Sequence, residues 1–172
     1  MRIFNTERND EWIVEWGRYE DVKVKFFIRS DDLSLESVSK NLGLTCTKGY
    51  ERGDVFIDKL VSGETRRGEK LWGVWAYESE QHVSSDKLKD HLDFMLSVFE
   101  PRKEQLKPYL EDKAYTVVVR IDFHDICSVV SCDFNKETMT RIMDICNEIC
   151  ICLRTDDRDL TEDDNDEENE FL

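Results

Sequence analysis

The chain has 172 residues, of which 40% are hydrophobic and 37% are charged, and its formal net charge is −15. A chain of this length suits one domain with a sizeable core, and this hydrophobic content argues against global disorder. The charged content exceeds the usual quarter of residues. An acidic chain repels nucleic-acid phosphates and attracts basic partners, so we expect no direct binding of nucleic acid.

The acidic charge is concentrated towards the end of the chain. Residues 155–172 contain ten acidic residues and one arginine, which leaves a net charge of −6 for residues 1–154. Such a run repels itself and offers almost nothing to bury. We therefore predict a single domain over residues 1–154 and an acidic disordered tail over residues 155–172.

The sequence predicts a cytoplasmic protein without membrane contact. Apolar runs stay well short of the roughly 18 residues that cross a bilayer, and the first ten residues lack the apolar segment of a signal peptide. The six cysteines are then expected to be free thiols in a reducing compartment. Cys127, Cys132, Cys146, Cys150 and Cys152 lack the paired Cys-x-x-Cys spacing of zinc sites, so we predict buried thiols, no metal and no cofactor.

The first elements are two strands and a helix. Apolar residues alternate with mostly polar ones over residues 22–29, which predicts a strand with one buried face, and residues 11–16 predict a shorter strand before it. Ser34 is a suitable cap for a helix over residues 35–42, and Gly43 suits the left-handed position that ends helices.

A hairpin and a second set of elements follow. Residues 54–61 and 70–79 predict its two strands, joined by the polar, glycine-bearing segment 62–69. A long helix is predicted from Ser84 or Ser85, and Pro101 separates it from a short helix over residues 102–110. Strands near 115–121 and 126–132 follow. The last elements are a helix capped by Asn135 and a strand at 149–153. This order predicts an α+β fold: a two-layer sandwich of a mostly antiparallel sheet with helices packed on one face.

The segment KGYERGD (residues 48–54) joins the first helix to the hairpin and invites a phosphate-binding interpretation, because glycines free backbone amides to meet an anion. It lacks the P-loop pattern and leads into a strand instead of a helix. We interpret it as a turn in which Gly49 and Gly53 allow positive φ, while Lys48 and Arg52 stay solvated and are available to a partner.

Catalytic signatures are weak throughout. None of the three histidines adjoins a nucleophile motif. Carboxylates occur at Asp31-Asp32, Glu78 and Asp122, but the loop DFHD (residues 122–125) lacks the spacing of a calcium loop, and Asp31-Asp32 is most simply the start of a helix. We therefore predict that the protein is not an enzyme.

Aromatic residues are the strongest indication of a binding surface, because exposed tyrosine and tryptophan anchor interfaces. They cluster at Trp12, Trp16 and Tyr19 and again around the hairpin. The predicted partner-binding residues are Tyr50, Arg52, Trp72, Trp75 and Tyr77. Strand alternation sends Trp72 and Trp75 to opposite faces, so only some of these residues are expected at one interface.

Several segments match one family pattern: FFIRSDDLSLESVSKNLGL, KGYERGD, LWGVWAYES, DKLKDHLDFMLSVFEP and ICSVVSCDFNKETMTRIMDIC. The chain from about Asp21 to Leu153 resembles domain-of-unknown-function family 4279. The resemblance includes the residue pairs Leu42-Gly43 and Gly53-Asp54 and the single residue Trp75. The resemblance implies an α+β fold and, by association with bacterial toxin and immunity genes, an immunity or partner-binding role.

Three functions are compatible with the sequence. The first is a protein-binding module, an immunity protein that neutralises a basic toxin domain by direct contact. The second is a small-ligand protein or enzyme with a pocket between sheet and helices, lined by Trp75, Tyr77 and Tyr115 with Arg52 or Arg120 as the polar group. The third is an acidic mimic of nucleic acid. The oligomeric state stays open.

Overall fold

The computed structural model describes residues 13–16, 21–59, 63–124 and 131–153. Within these ranges it contains nine strands and four helices, together with short 3₁₀ turns at Ser79–Gln81 and Glu100–Arg102. In chain order they are β1 (Ile13–Trp16), β2 (Asp21–Ser30), α1 (Leu35–Leu42), β3 (Lys48–Tyr50), β4 (Val55–Lys59), β5 (Thr65–Glu69), β6 (Gly73–Glu78), α2 (Leu88–Phe99), α3 (Lys103–Glu111), β7 (Thr116–His124), β8 (Ser131–Phe134), α4 (Lys136–Met143) and β9 (Glu148–Leu153).

The centre of the domain is a five-stranded sheet in the order β3-β6-β2-β7-β9. The β7–β9 pair is parallel, and the other three pairs are antiparallel. Two further two-stranded ribbons are formed by β1 with β8 and by β4 with β5. The predicted class is confirmed: the fold is α+β with a mostly antiparallel sheet and helices on one face.

The core lies between the helices and the face of β2 that they cover. Val22, Val24, Phe26 and Ile28 are fully buried there. The ring of Phe26 stacks on that of Phe99 in α2, with 3.7 Å between ring centroids. Burial of such side chains contributes about 1.5–3 kcal/mol each, so this face of β2 stabilises the whole two-layer arrangement.

The predicted helix boundaries are largely confirmed. Ser34 Oγ accepts a hydrogen bond from the Ser37 amide, Gly43 has a φ of 63°, and Asn135 Oδ1 accepts from the Thr138 amide at 2.8 Å. The helix α2 begins later than predicted, at Leu88. The reason is local: Ser85 Oγ accepts from the Lys87 amide, which forms a turn before the helix.

Strand pairing differs from the predicted hairpin. The partner of β4 is β5, which lies in the polar segment that the sequence predicted as a loop. The apolar segment β6 pairs instead with β2 and β3, because its buried residues are needed in the main sheet. The segment β8, predicted to follow β7 as a neighbouring strand, pairs with β1. Residues 125–130 and the predicted tail at 155–172 lie outside the described residues.

A buried serine links the sheet to α2. Ser79 Oγ accepts a hydrogen bond from the Val24 amide at 3.0 Å and lies 2.6 Å from His91 Nδ1. His91 Nε2 lies 2.8 Å from the carbonyl oxygen of Ser85. Both Ser79 and His91 are buried. With Nε2 protonated and Nδ1 accepting from the serine hydroxyl, every polar atom of this chain of contacts is paired, so the Ser79–His91 pair is structural.

Ser79→Ala should destabilise the domain by about 1–3 kcal/mol, because it leaves the Val24 amide and His91 Nδ1 buried without this partner. Urea unfolding monitored by circular dichroism measures the change. Ser97→Ala is the matched control: Ser97 is exposed on α2 and should shift stability by less than about 0.5 kcal/mol. Equal losses in the two variants would contradict the structural role of Ser79.

A second connection joins the end of α2 to α4. Glu100 receives two hydrogen bonds from the Arg141 guanidinium, at 2.8 and 3.0 Å. These bonds hold the pKa of Glu100 below its usual value. A carboxyl group whose pKa is lower in the folded than in the unfolded protein stabilises the fold at pH values above its unfolded-state pKa. This stabilisation is lost as the pH falls through its folded-state pKa.

Arg141→Gln should therefore cost up to about 1 kcal/mol at neutral pH and progressively less as pH falls through the folded-state pKa of Glu100. Unfolding curves at a series of pH values measure the difference from the parent protein. Lys107→Gln removes an ion pair between more exposed side chains, Lys107 and Glu111, and should have little effect at any of these pH values. A cost for Arg141→Gln that is independent of pH would contradict this role of Glu100.

Candidate functional site

The face of the five-stranded sheet turned away from the helices carries the candidate site, and we call it the pocket face. Strand register places side chains of neighbouring strands side by side on this face. One such row crosses β6, β2, β7 and β9 and consists of Glu78, Lys25, Arg120 and Cys150. Two cations therefore lie next to each other at the centre of the sheet, which requires nearby carboxylates.

Two carboxylates, Glu78 and Asp122, balance the positive charges of Lys25 and Arg120. Lys25 Nζ lies 3.4 Å from Glu78 Oε1 and 4.0 Å from Asp122 Oδ2. Arg120 Nε donates to Asp122 Oδ1 at 2.7 Å. Glu78, Arg120 and Asp122 are buried. Burial alone would lower the pKa of Arg120, but the charge of Asp122 and its hydrogen bond outweigh burial and raise it, so the guanidinium stays charged.

Next to this charge cluster lies an open pocket of about 70 Å³. Its apolar lining comes from the centre of the sheet, where Phe27, Ala76 and Val118 are buried together and Val74 packs against them. The side chains that line the pocket are Lys25, Phe27, Arg29, Lys48, Tyr50, Trp72, Val74, Ala76, Glu78 and Arg120, with Gly49 beside them. The pocket thus combines an apolar surface with several cations.

Trp72 and Tyr50, the two aromatic residues at one side of the pocket, each contact a cation. The guanidinium carbon of Arg29 lies 5.5 Å from the centroid of the Trp72 ring. Lys70 Nζ lies 4.6 Å from the centroid of Tyr50 and 4.5 Å from that of Phe56. Burial raises the pKa of the Tyr50 hydroxyl, which also receives a hydrogen bond from Trp72. Tyr50 is therefore neutral at physiological pH, and Lys70 connects it to the β4–β5 ribbon.

The β4–β5 ribbon presents apolar side chains to solvent. Val55 and Ile57 are 50% and 64% exposed, and Leu71, just after the ribbon, is 62% exposed. Phe56 points to the other side, where its ring lies over Gly68: a Cβ at that glycine would come within 2.5 Å of the ring. The ribbon therefore has one side fixed by Phe56 and one side with exposed aliphatic residues.

The five predicted partner-binding residues do not form one surface. Tyr50 and Trp72 line the pocket, and Arg52 is exposed in the turn before β4. Trp75 is fully buried in the main core, where its Nε1 donates to Ser39 Oγ at 2.8 Å. Tyr77 also packs against that core. Trp75 therefore cannot touch a partner of the folded domain, and Tyr77 lies on the opposite side of the sheet from the pocket.

The pocket also lies elsewhere than the sequence predicted. Trp75, Tyr77 and Tyr115 contribute to or pack against the core between sheet and helices. Arg120, one of the two arginines proposed as a polar group, does line the pocket, whereas Arg52 does not. The pocket opens on the side of the sheet turned away from the four described helices, and the strand period of two places Val74 on this side and Trp75 on the other.

Lys25 and Arg29 were not among the predicted site residues, and Glu78 and Asp122 were predicted only as scattered carboxylates. Lys25 and Arg29 alternate with buried residues along β2, a pattern that resembles an ordinary solvated strand face. The available signal was the composition of that face: Phe27 interrupts the polar residues, and an aromatic residue there indicates cover or a ligand. The pairing of β2 with both β6 and β7 was needed to bring the four charges together.

The segment KGYERGD contains a strand as well as the predicted turn. Lys48–Tyr50 forms β3, so Gly49 lies in a strand, where a Cβ would come 2.7 Å from the Leu35 side chain. The turn is tightened by Asp54, whose Oδ2 accepts from the Glu51 amide at 2.7 Å. Gly53 has a φ of 87°, as predicted, but Gly49 is not in the positive-φ region.

Gly53→Val should destabilise the fold by about 1–2 kcal/mol, because a left-handed backbone is unfavourable for residues with a Cβ. Open space surrounds the position, since a Cβ would meet no atom within 4 Å, so backbone conformation is the expected cause. Arg52→Ala in the same turn should leave stability unchanged. Thermal unfolding of both variants tests the role of the turn, and equal destabilisation would refute it.

The cysteines of the last strand are less buried than predicted: Cys146 is buried, whereas Cys150 and Cys152 are only partly buried. Cys150 and Cys152 on β9 have sulfur atoms 3.5 Å apart. Burial raises the pKa of Cys146 and of Cys152 to about 12, so both are protonated at neutral pH. Among the described residues, no three His, Cys, Asp or Glu side chains are grouped to hold a metal ion. Trp12, Tyr19, Asp125 and Cys127 lie outside them, as do the side chains of Trp16 and Cys132.

These features define a two-layer α+β protein with a cationic, aromatic pocket on its sheet. A family model described as "Domain of unknown function (DUF4279)" matches residues 20–155, and the chain belongs to this family. No curated protein and no solved structure matches the chain. The helices of the described ranges are all too short or too polar to cross a membrane.

Proposed function

We propose that this protein is a non-enzymatic, cytoplasmic protein-binding module: an immunity protein that neutralises a cognate bacterial toxin by direct contact. The observation that carries the proposal is the exposed aliphatic side of the β4–β5 ribbon, Val55 and Ile57, followed by Leu71. Large apolar side chains exposed close together are typical of interfaces. The class of partner, a bacterial toxin, is the one that the family resemblance noted in the sequence implies.

The base of the ribbon offers the residue types that anchor interfaces. Tyr50 and Trp72 are half-buried, and their rings contact Lys70 and Arg29, respectively. Side chains held in place before binding lose little conformational freedom when a partner arrives. We therefore infer that the partner covers the ribbon and reaches this aromatic base, with Arg52 at its margin.

Charge has a different role in this proposal. Residues 48–70, which include the ribbon, contain six basic and five acidic residues, whereas the whole chain has a net charge of −15. The acidic remainder of the protein would attract a basic toxin domain over distance, and the nearly neutral ribbon would make the desolvated contacts.

Ile57→Asp should weaken binding to the partner toxin by tenfold or more, on the order expected for an interface anchor, without lowering the melting temperature. Co-expression with each toxin encoded beside the gene, followed by growth and co-purification, identifies the partner and measures the effect. Leu153→Asp is the matched control, because Leu153 is 58% exposed on β9, at the other edge of the sheet.

Two outcomes would contradict the proposal. The protein would fail to rescue growth against every neighbouring toxin, or Leu153→Asp would abolish rescue while Ile57→Asp had no effect. The second outcome would move the interface from the ribbon to the β9 edge of the sheet.

A further inference from the structure

Two cysteines lie side by side on β9, the last strand of the five-stranded sheet. Cys150 and Cys152 are separated by one residue, so the strand period of two places both side chains on the same face. Their sulfur atoms are 3.5 Å apart, and both residues are partly exposed. The sequence predicted buried thiols and no metal because the Cys-x-x-Cys spacing is missing. The structure instead brings two thiols together where an ion from solution can reach them.

The backbone of β9 keeps these thiols from forming a disulfide. In a regular strand, Cα atoms two residues apart are separated by about 6.4–6.8 Å, and the Cβ atoms on one face by a similar distance. A disulfide needs its two Cβ atoms within about 3.5–4.5 Å of each other. Oxidation of this pair would therefore require β9 to bend away from its regular pairing with β7.

A single ion held between the two sulfurs needs no such bending. With metal–sulfur bonds of about 2.3 Å, the value for zinc, two sulfurs on one ion lie about 3.8 Å apart at a tetrahedral angle and about 4.6 Å apart in a line. The observed separation of 3.5 Å is shorter than either value. Because strand geometry holds the Cβ atoms further apart than the sulfurs, rotation of the two side chains reaches both separations.

The protonation of the pair narrows the class of ion. Burial and the hydrogen bond to Cys150 raise the pKa of the Cys152 thiol to about 12, and the positive charge of Arg120 on β7 only partly opposes this rise. The thiol is therefore protonated at neutral pH. A thiol must lose its proton to bind a metal, so only an ion with high affinity for sulfur can occupy the pair.

The number of available ligands narrows the class further. Zinc is held by four protein ligands in structural sites and by three in catalytic sites. Over the ranges that the structure describes, no three His, Cys, Asp or Glu side chains are grouped for a metal. Copper(I) is a soft ion that thiolates select, and two thiolates suffice to hold it.

We propose that Cys150 and Cys152 together bind one copper(I) ion as a pair of thiolates. One Cu⁺ and two thiols give a copper dithiolate with a single negative charge, and two protons are released. This site lies on β9, away from the β4–β5 ribbon, and shares no residue with the surface proposed to contact a protein partner.

Anaerobic titration of the full, reduced chain with copper(I), in competition with a coloured copper(I) chelator, tests the inference. Cys150→Ser and Cys152→Ser should each bind one ion fewer than the parent protein. The double variant should lose no more than either single variant, because both thiols hold the same ion. Cys46→Ser is the matched control: Cys46 is also a partly exposed free cysteine, but it packs against the main core, and its loss should leave the number of ions unchanged.

The inference is overturned if Cys150→Ser and Cys152→Ser bind as many copper(I) ions as the parent protein, or if Cys46→Ser loses an ion as they do. It is also overturned if zinc binds as tightly as copper(I) with the same dependence on both cysteines, since a fuller set of ligands would then be present. Circular dichroism shows whether each variant is folded. Where a serine variant fails to fold, alanine at the same position replaces it, because alanine keeps the apolar character of a partly buried thiol.

Discussion

The two faces of β2 impose opposite requirements on the rest of the domain. One face is apolar from Val22 to Ile28 and is stable only when α2 and its neighbours cover it. The other face carries Lys25, Phe27 and Arg29, and Lys25 requires carboxylates from strands on both sides. A shift of one residue in strand register would exchange these faces, so a single register satisfies both.

The buried charges explain why the sheet order matters to the candidate site. Glu78 comes from β6 and Asp122 from β7, and β2 lies between these strands. An isolated buried ammonium or guanidinium group is costly, whereas a group paired on both sides is tolerated. The charge cluster therefore depends on the antiparallel pairing of three strands, and it provides a rigid support for the side chains of the pocket.

The pocket and the β4–β5 ribbon are connected through one side chain. Lys70 lies over the rings of both Phe56, in the ribbon, and Tyr50, at the pocket. Backbone hydrogen bonds between Gly53 and Lys70 and between Lys70 and Asp54 fix the base of the ribbon. Lys70 and these backbone hydrogen bonds therefore join the ribbon to the edge of the pocket.

Local chemistry in the sequence determined the helix caps at Ser34 and Asn135, the left-handed Gly43 and the strand period of β2, because each depends on neighbours within a few residues. Family membership and fold class were also accessible from the sequence.

The strand partners were not accessible from the sequence: β5 is polar throughout, and only its pairing with β4 makes it a strand. The pocket required tertiary structure for the same reason, since Lys25, Glu78 and Arg120 are distant in the chain and become neighbours only through cross-strand register. Strand alternation predicted that Trp72 and Trp75 lie on opposite faces, but only the packing of the sheet decided that Trp75 belongs to the core and Trp72 to the pocket.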